Sequence, residues 1–161
     1  MDASAPESVR ELPVEFLFEF QVEFDAGMAI YATPFGTRID AIVSGGKAVG
    51  PRFNGELLAG GGDWLIMPAD GIARMDVRAT VLADGGDYVH YTSSGRVVLD
   101  EAARDRFLSG QMITTPEMYG RAAPLFETAA ENYRWMNGVV STGVIVELSL
   151  EHIRYQIFAI Q

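Results

Sequence analysis

The chain contains no cysteine, which removes disulfides, thiol nucleophiles and thiolate metal centres and fits a reducing, cytoplasmic setting. Histidine occurs only as His90 and His152, so a zinc site would need both of them plus carboxylates from separate strands, and no metal is expected. Cations are scarce: 12 Lys+Arg against 22 Asp+Glu leave a formal charge of -10, a field that repels nucleic-acid backbones and anionic membrane surfaces. Gly, Pro or a charge interrupts every apolar run before the ~20 residues that a membrane-spanning helix needs. The opening MDASAPESVRELP lacks the basic-then-apolar order of an export signal. A Gly-x-Ser-x-Gly elbow, a phosphate-binding loop and a dinucleotide fingerprint are also missing, so no cofactor is expected.

Hydrophobic residues make up 48% of the 161, enough for a single core and too few residues for a second lobe. One domain spanning residues 1–161 is expected, with 1–13 as a flexible N-terminal segment. From Val14 to Phe24 the chain alternates: Phe16, Phe18, Phe20, Val22 and Phe24 fall on one face, Glu15, Glu19, Gln21 and Glu23 on the other. Period two means a half-buried strand, because a helix would scatter those rings around its circumference.

Downstream, short apolar runs alternate with turn chemistry at Gly36, Gly45-Gly46, Gly50-Pro51, Gly60-Gly61-Gly62, Asp70-Gly71, Asp84-Gly85-Gly86 and Ser94-Gly95. Such spacing suits hairpins and leaves no space for repeated βαβ crossovers. The reading is all-β: a single closed antiparallel β-barrel of about eight to ten strands, since closure removes exposed edges. One short helix is expected after Asp100, ending at Ser109-Gly110. Residues 112–132, with Pro116, Gly120 and Pro124, read as a long ordered loop. Gly55, inside a strand, marks either a bulge or a close backbone approach.

The run Gly36-Thr37-Arg38, Gly45-Gly46, Gly50-Pro51-Arg52-Phe53-Asn54-Gly55, Asp63-Trp64, Asp70-Gly71 and Asp76-Val77-Arg78 resembles uncharacterised protein family 0311, also called domain of unknown function 3237. Phe126-Glu127-Thr128 and Tyr133-Arg134-Trp135-Met136-Asn137 resemble that family's second block, usually written with Leu where Met136 stands. The resemblance implies a small barrel similar to calycins and allene oxide cyclase barrels, and implies no settled activity.

Small barrels hold one modest ligand among apolar walls with a few convergent polar groups. Asp76 and Arg78 leave their strand on the same face. Inward, they make an acid/base and an oxyanion anchor; outward, they are solvated. Alternation alone does not choose, and the resemblance favours inward. Asp63, after three glycines, is either a turn-former or a site acid. Trp64 is a core ring or a ligand platform, and Tyr91 is a phenolic donor to an oxyanion. Tyr133, Trp135 and Asn137 share a face if that segment is extended, with Glu127 nearby. The expected catalytic residues are thus Asp63, Asp76 and Arg78, and the expected ligand contacts Trp64, Tyr91, Glu127, Tyr133, Trp135 and Asn137.

Three functions fit this reading. The first is a cofactor-independent acid/base enzyme, an isomerase, cyclase or hydratase acting on a small, partly apolar aromatic or ketone-like molecule. The second is a non-catalytic carrier or sensor of such a molecule. The third is a structural barrel that dimerises through an outer face; a homodimer is the expected assembly.

Overall fold

The structure, a computed structural model, describes residues 11–161. The expected flexible segment 1–13 therefore falls mostly outside the described residues. Strand β1 (Val14–Phe24) buries Phe18, Phe20 and Val22, as its alternation requires. Its register against β11 (His152–Ile160) shifts between Phe16 and Phe18. This bulge turns Leu17 into the core and puts Phe16 outside, edge-on to Phe158 at 5.6 Å. The expectation that Phe16 shares the inner face is corrected by that one inserted residue.

The remaining strands are β2 (Ala29–Thr33), β3 (Gly36–Val49), β4 (Gly55–Leu57), β5 (Gly62–Met67), β6 (Ile72–Ala83), β7 (Tyr88–Leu99), β8 (Ile113–Thr114), β9 (Met118–Glu127) and β10 (Ser141–Leu148). Every pairing is antiparallel, and the order β1-β11-β10-β9-β7-β6-β4-β3 closes through β3 onto β1, giving an eight-stave barrel. One stave is divided: β4 and β5 both lie between β3 and β6, end to end. Gly55 is required where β4 meets β6, because a Cβ there would stand 2.7 Å from the Leu82 carbonyl oxygen. Close backbone approach is thus the reason for that glycine.

Two sequence expectations change. Residues 112–132 are not a long loop: Met118–Glu127 is a barrel stave paired along its whole length with β7. Ser94-Gly95 is no turn either, since β7 runs unbroken from Tyr88 to Leu99. The helix α1 (Glu101–Leu108) forms as expected, with the Asp100 carboxylate accepting from the Ala103 N–H at 2.7 Å, which satisfies a first-turn donor. No described helix is long and apolar enough to cross a membrane.

The two barrel ends differ. At the end where β1 begins, a 3-10 helix over Glu131–Gly138 packs Tyr133 edge-on against Phe53, which in turn meets Phe18. At the other end, where β1 finishes at Phe24, α1 contributes Phe107 to the wall of the interior.

Candidate functional site

The barrel interior is apolar except in one zone. The inward row of β6 is Ala73, Met75, Val77, Ala79 and Val81, all buried. That row places Asp76 and Arg78 outside, with side chains 56% and 60% exposed and joined by a surface ion pair of 3.3 Å. The expectation that Asp76 and Arg78 face inward is therefore corrected: the apolar residues between them hold the inner face, and two charges gain nothing by displacing them.

Two small chambers remain inside. The inner chamber leaves ≈ 20 Å³ in which the centre of a water molecule can move, and the outer one, nearer α1, ≈ 50 Å³. One water needs about 10 to 15 Å³ on that measure, so with the side chains in these positions the inner chamber takes one water and the outer a few. A larger guest requires the flexible Met28, Met67 and Met75 side chains that line them to move aside. Phe24, Asp63, Met75 and Ile153 line both chambers and form the partition.

Asp63 is only 9% exposed and borders both chambers. Strand geometry puts it there: opposite it stand Ala41 of β3 and Val77 of β6, both facing inward. The β5–β6 ladder is interrupted between Val77 and Arg74, and the Asp76 N–H in that gap donates to Asp63 Oδ1 at 2.9 Å. Burial pushes the carboxyl up from 3.8 to about 6; the Asp76 N–H opposes this, and the Asp76 charge adds to it. A buried carboxyl that changes charge near neutrality suits proton transfer to and from carbon or oxygen.

Tyr91 and Tyr155 stand in the inner chamber with Asp63. Phe20 holds both rings, at 5.0 Å from Tyr91 and 6.0 Å from Tyr155. Burial is the main cause that keeps both phenols protonated, Tyr91 being pushed up to about 12 and Tyr155 well above its ordinary value. The buried Ser93 and Tyr155 hydroxyls are the polar neighbours of Tyr91, yet neither completes a hydrogen bond of good geometry with it. Among the described residues Tyr91 Oη and Ser141 Oγ are the buried side-chain atoms with no partner. An unpaired buried hydroxyl costs about 1 to 3 kcal/mol, which a guest oxygen or a small shift of the Ser93 or Tyr155 hydroxyl would relieve.

The remaining expected contacts lie elsewhere. Trp64 alternates with Asp63 and sits half-buried outside, its indole over Gly62. Tyr133, Trp135 and Asn137 do not share an extended face, because their segment is a 3-10 helix. Tyr133 packs on Phe53, Trp135 receives the Arg52 guanidinium at 4.6 Å, and Asn137 bonds the Thr128 N–H and carbonyl, each at 2.8 Å. Glu127 is exposed in a shallow outer depression with His90. Of the residues read from sequence, the interior brings together Asp63 and Tyr91. Tyr155 was missed, although its place in the alternating row Ile153, Tyr155, Ile157, Ala159 points it inward as Tyr91 is pointed.

Fold and site together define a small closed barrel with an acid and two phenols in an apolar interior. The chain belongs to the family described as protein of unknown function (DUF3237), whose sequence model matches residues 12–160. It is 30% identical over 131 residues to a UPF0311 protein of Clostridium acetobutylicum, covering 80% of this chain and 82% of that one. A crystal structure of a conserved protein of unknown function from Rhodopseudomonas palustris superposes with a TM-score of 0.88 at 18% identity, over 95% of this chain and 100% of that one. An enzyme from Penicillium herquei, 25% identical, superposes with a TM-score of 0.65 over 96% of this chain and 98% of that one.

Proposed function

We propose that the protein is a cofactor-independent acid/base enzyme that acts on a small, partly apolar carbonyl compound inside the barrel. The observation that carries this reading is Asp63, a buried carboxyl with a raised pKa that shares a chamber with two protonated phenols. At pH 7 Asp63 is mostly ionised and more basic than an exposed carboxylate. It accepts a proton from the carbon next to the carbonyl; the C–H electron pair becomes the C=C bond, and the carbonyl π pair moves to oxygen, where Tyr91 or Tyr155 donates a hydrogen bond. Return of the proton to another carbon of the enolate, whose electron pair forms the new C–H bond as the carbonyl re-forms, completes an isomerisation. In an enone, an internal hydroxyl instead adds to the β-carbon, its O–H proton passes to Asp63, the π pair moves to the phenol-bonded oxygen, and Asp63 returns the proton to the α-carbon, which gives cyclisation. The similarity to a fungal protein described as an enzyme supports a catalytic use of the fold.

The chain as a cytoplasmic homodimer belongs to the same proposal. It rests on the absence of cysteine and on exposed apolar residues of the β2–β3 hairpin such as Ile30, Tyr31 and Phe35.

The test is α-proton exchange in D2O with a panel of small cyclic ketones and enones. Wild-type protein should accelerate deuteration of at least one, and Asp63→Asn should lower that rate by about 10² to 10⁴. Exchange at the buffer rate with both proteins would reduce the function to the second reading, a carrier that uses the same residues to orient its ligand.

A further inference from the structure

Beyond the two chambers, the barrel has an open bowl on the surface, formed by the β1–β2 turn, Ser44 and residues 150–152. It lies at the α1 end, where β1 finishes and β11 starts. Phe24 and Met28 line both the bowl and the outer chamber, and Phe24 alone also lines the inner chamber. One ring therefore stands between solvent, the outer chamber and the Asp63 zone.

The backbone beneath that ring is fixed. The Phe24 N–H donates to the Glu151 carbonyl at 2.9 Å, and the residue pairs with Val43 of β3. Beyond it the Asp25 N–H still donates to the Ile42 carbonyl at 2.8 Å, and the chain then turns through the exposed Ala26 and Gly27, where Gly27 has φ 87°, a conformation that favours glycine. Access thus depends on the side chains of Phe24 and of the flexible Met28, with no displacement of a strand.

Charge limits what passes. Glu23, Asp25 and Glu151 stand around the bowl, with His152 its sole cationisable residue, and the His152 ring meets Glu147 Oε2 and Ser149 Oγ, each at 3.5 Å. Inside, no Lys, Arg or His lines either chamber. An anion would leave water, cross an acidic rim and find no counter-charge. A cation would pass the rim but leave water for chambers whose acceptors are Asp63, one oxygen of which the Asp76 N–H already engages, two phenols and Ser149, with apolar wall elsewhere. An uncharged molecule with one acceptor oxygen suffers neither cost and can accept from the phenols that line the inner chamber.

We infer that Phe24 is the gate through which substrate reaches Asp63 from the bowl, and that the gate and interior select an uncharged molecule with a single oxygen acceptor at its buried end. The inference rests on the acid/base reading of the interior and adds the substrate class and the path.

The experiment titrates the protein with three probes of one shape: p-cresol, 4-methylbenzoate and 4-methylbenzylamine. Amide signals of Asp76 and Ser93 report the interior, and line shapes give the exchange rate. In wild type p-cresol should shift both signals while the benzoate and the amine leave them in place. Phe24→Ala should speed p-cresol exchange on the order of tenfold and Phe24→Trp should slow it; if the Ala variant does not fold, Phe24→Leu carries the same test. Equal exchange rates in all Phe24 variants would overturn the gate while leaving the interior site intact. Tighter interior binding of the benzoate or the amine would overturn the uncharged class. Failure of all three probes to reach the interior in wild type and in the opened variant would sink the gate together with the acid/base reading.

Discussion

Asp63 and Asp76 are joined by a hydrogen bond of 2.9 Å from the backbone N–H of Asp76 to the carboxylate of Asp63, yet their side chains lie on opposite sides of the barrel wall. One is buried and its proton is held tightly; the other is exposed and paired with Arg78. The wall itself separates the buried carboxyl from the solvated one.

Asp63 makes stability depend on pH. Its folded pKa, about 6, lies above its ordinary value of 3.8, so the folded chain holds the proton more tightly than the unfolded one. The stabilisation is fully present below pH 4 and is lost as the pH rises through 6; the ionised group then costs about 3 kcal/mol relative to the protonated state. Asp63→Asn, which can still accept from the Asp76 N–H, should match wild type in urea unfolding at pH 4 and exceed it by up to about 3 kcal/mol at pH 8. A variant equally less stable at both pH values would show that this carboxyl is not strained.

Tyr91→Phe should separate function from folding. Removing a buried hydroxyl that has no partner leaves stability unchanged or raises it by about 1 kcal/mol. The same change should weaken p-cresol binding and lower turnover, because the oxygen loses its donor. A loss of more than about 2 kcal/mol in thermal unfolding would mean that the hydroxyl is satisfied in the folded protein.

Asp76→Asn and Arg78→Ala alter an exposed pair, and each should change stability by less than about 0.5 kcal/mol. Neither should change the rate of α-proton exchange by more than about twofold. A hundredfold loss in either variant would restore these residues to the site.

Asn137→Ala removes both bonds that tie the 3-10 helix to the Thr128 backbone. It should cost about 1 to 3 kcal/mol in denaturant unfolding with no change in probe affinity. Weaker binding at full stability would identify Asn137 as a ligand contact instead of a clamp.

Strands with long apolar rows were legible in the sequence, β1, β6 and β11 above all, because period two requires no tertiary information. The β9 stave was not, because its inward row of Met118, Gly120, Ala122, Pro124 and Phe126 resembles a loop. Pro124 is tolerated since β10 pairs with β9 only at Arg121 and Ala122, so no partner on that side needs its missing N–H. Gly120 leaves space for Ile145, whose Cβ lies 2.8 Å from where a Gly120 Cβ would stand. Asp63 and Tyr91 were legible as polar groups next to apolar runs. Asp76 and Arg78 were misplaced because a resemblance outweighed the apolar row between them, and Phe24 was hidden because a gate is defined by the spaces it separates.

Closure of β1 between β11 and β3 also sets when the interior is complete. During synthesis β11 emerges after every other described strand, and it carries Tyr155 and Ile153, so until then the nascent barrel has an open seam beside the Asp63 zone. Partial chains have neither a closed interior nor a second phenol. On the acid/base proposal, a half-made copy therefore lacks the sealed chamber that the reaction needs until the final pairing forms.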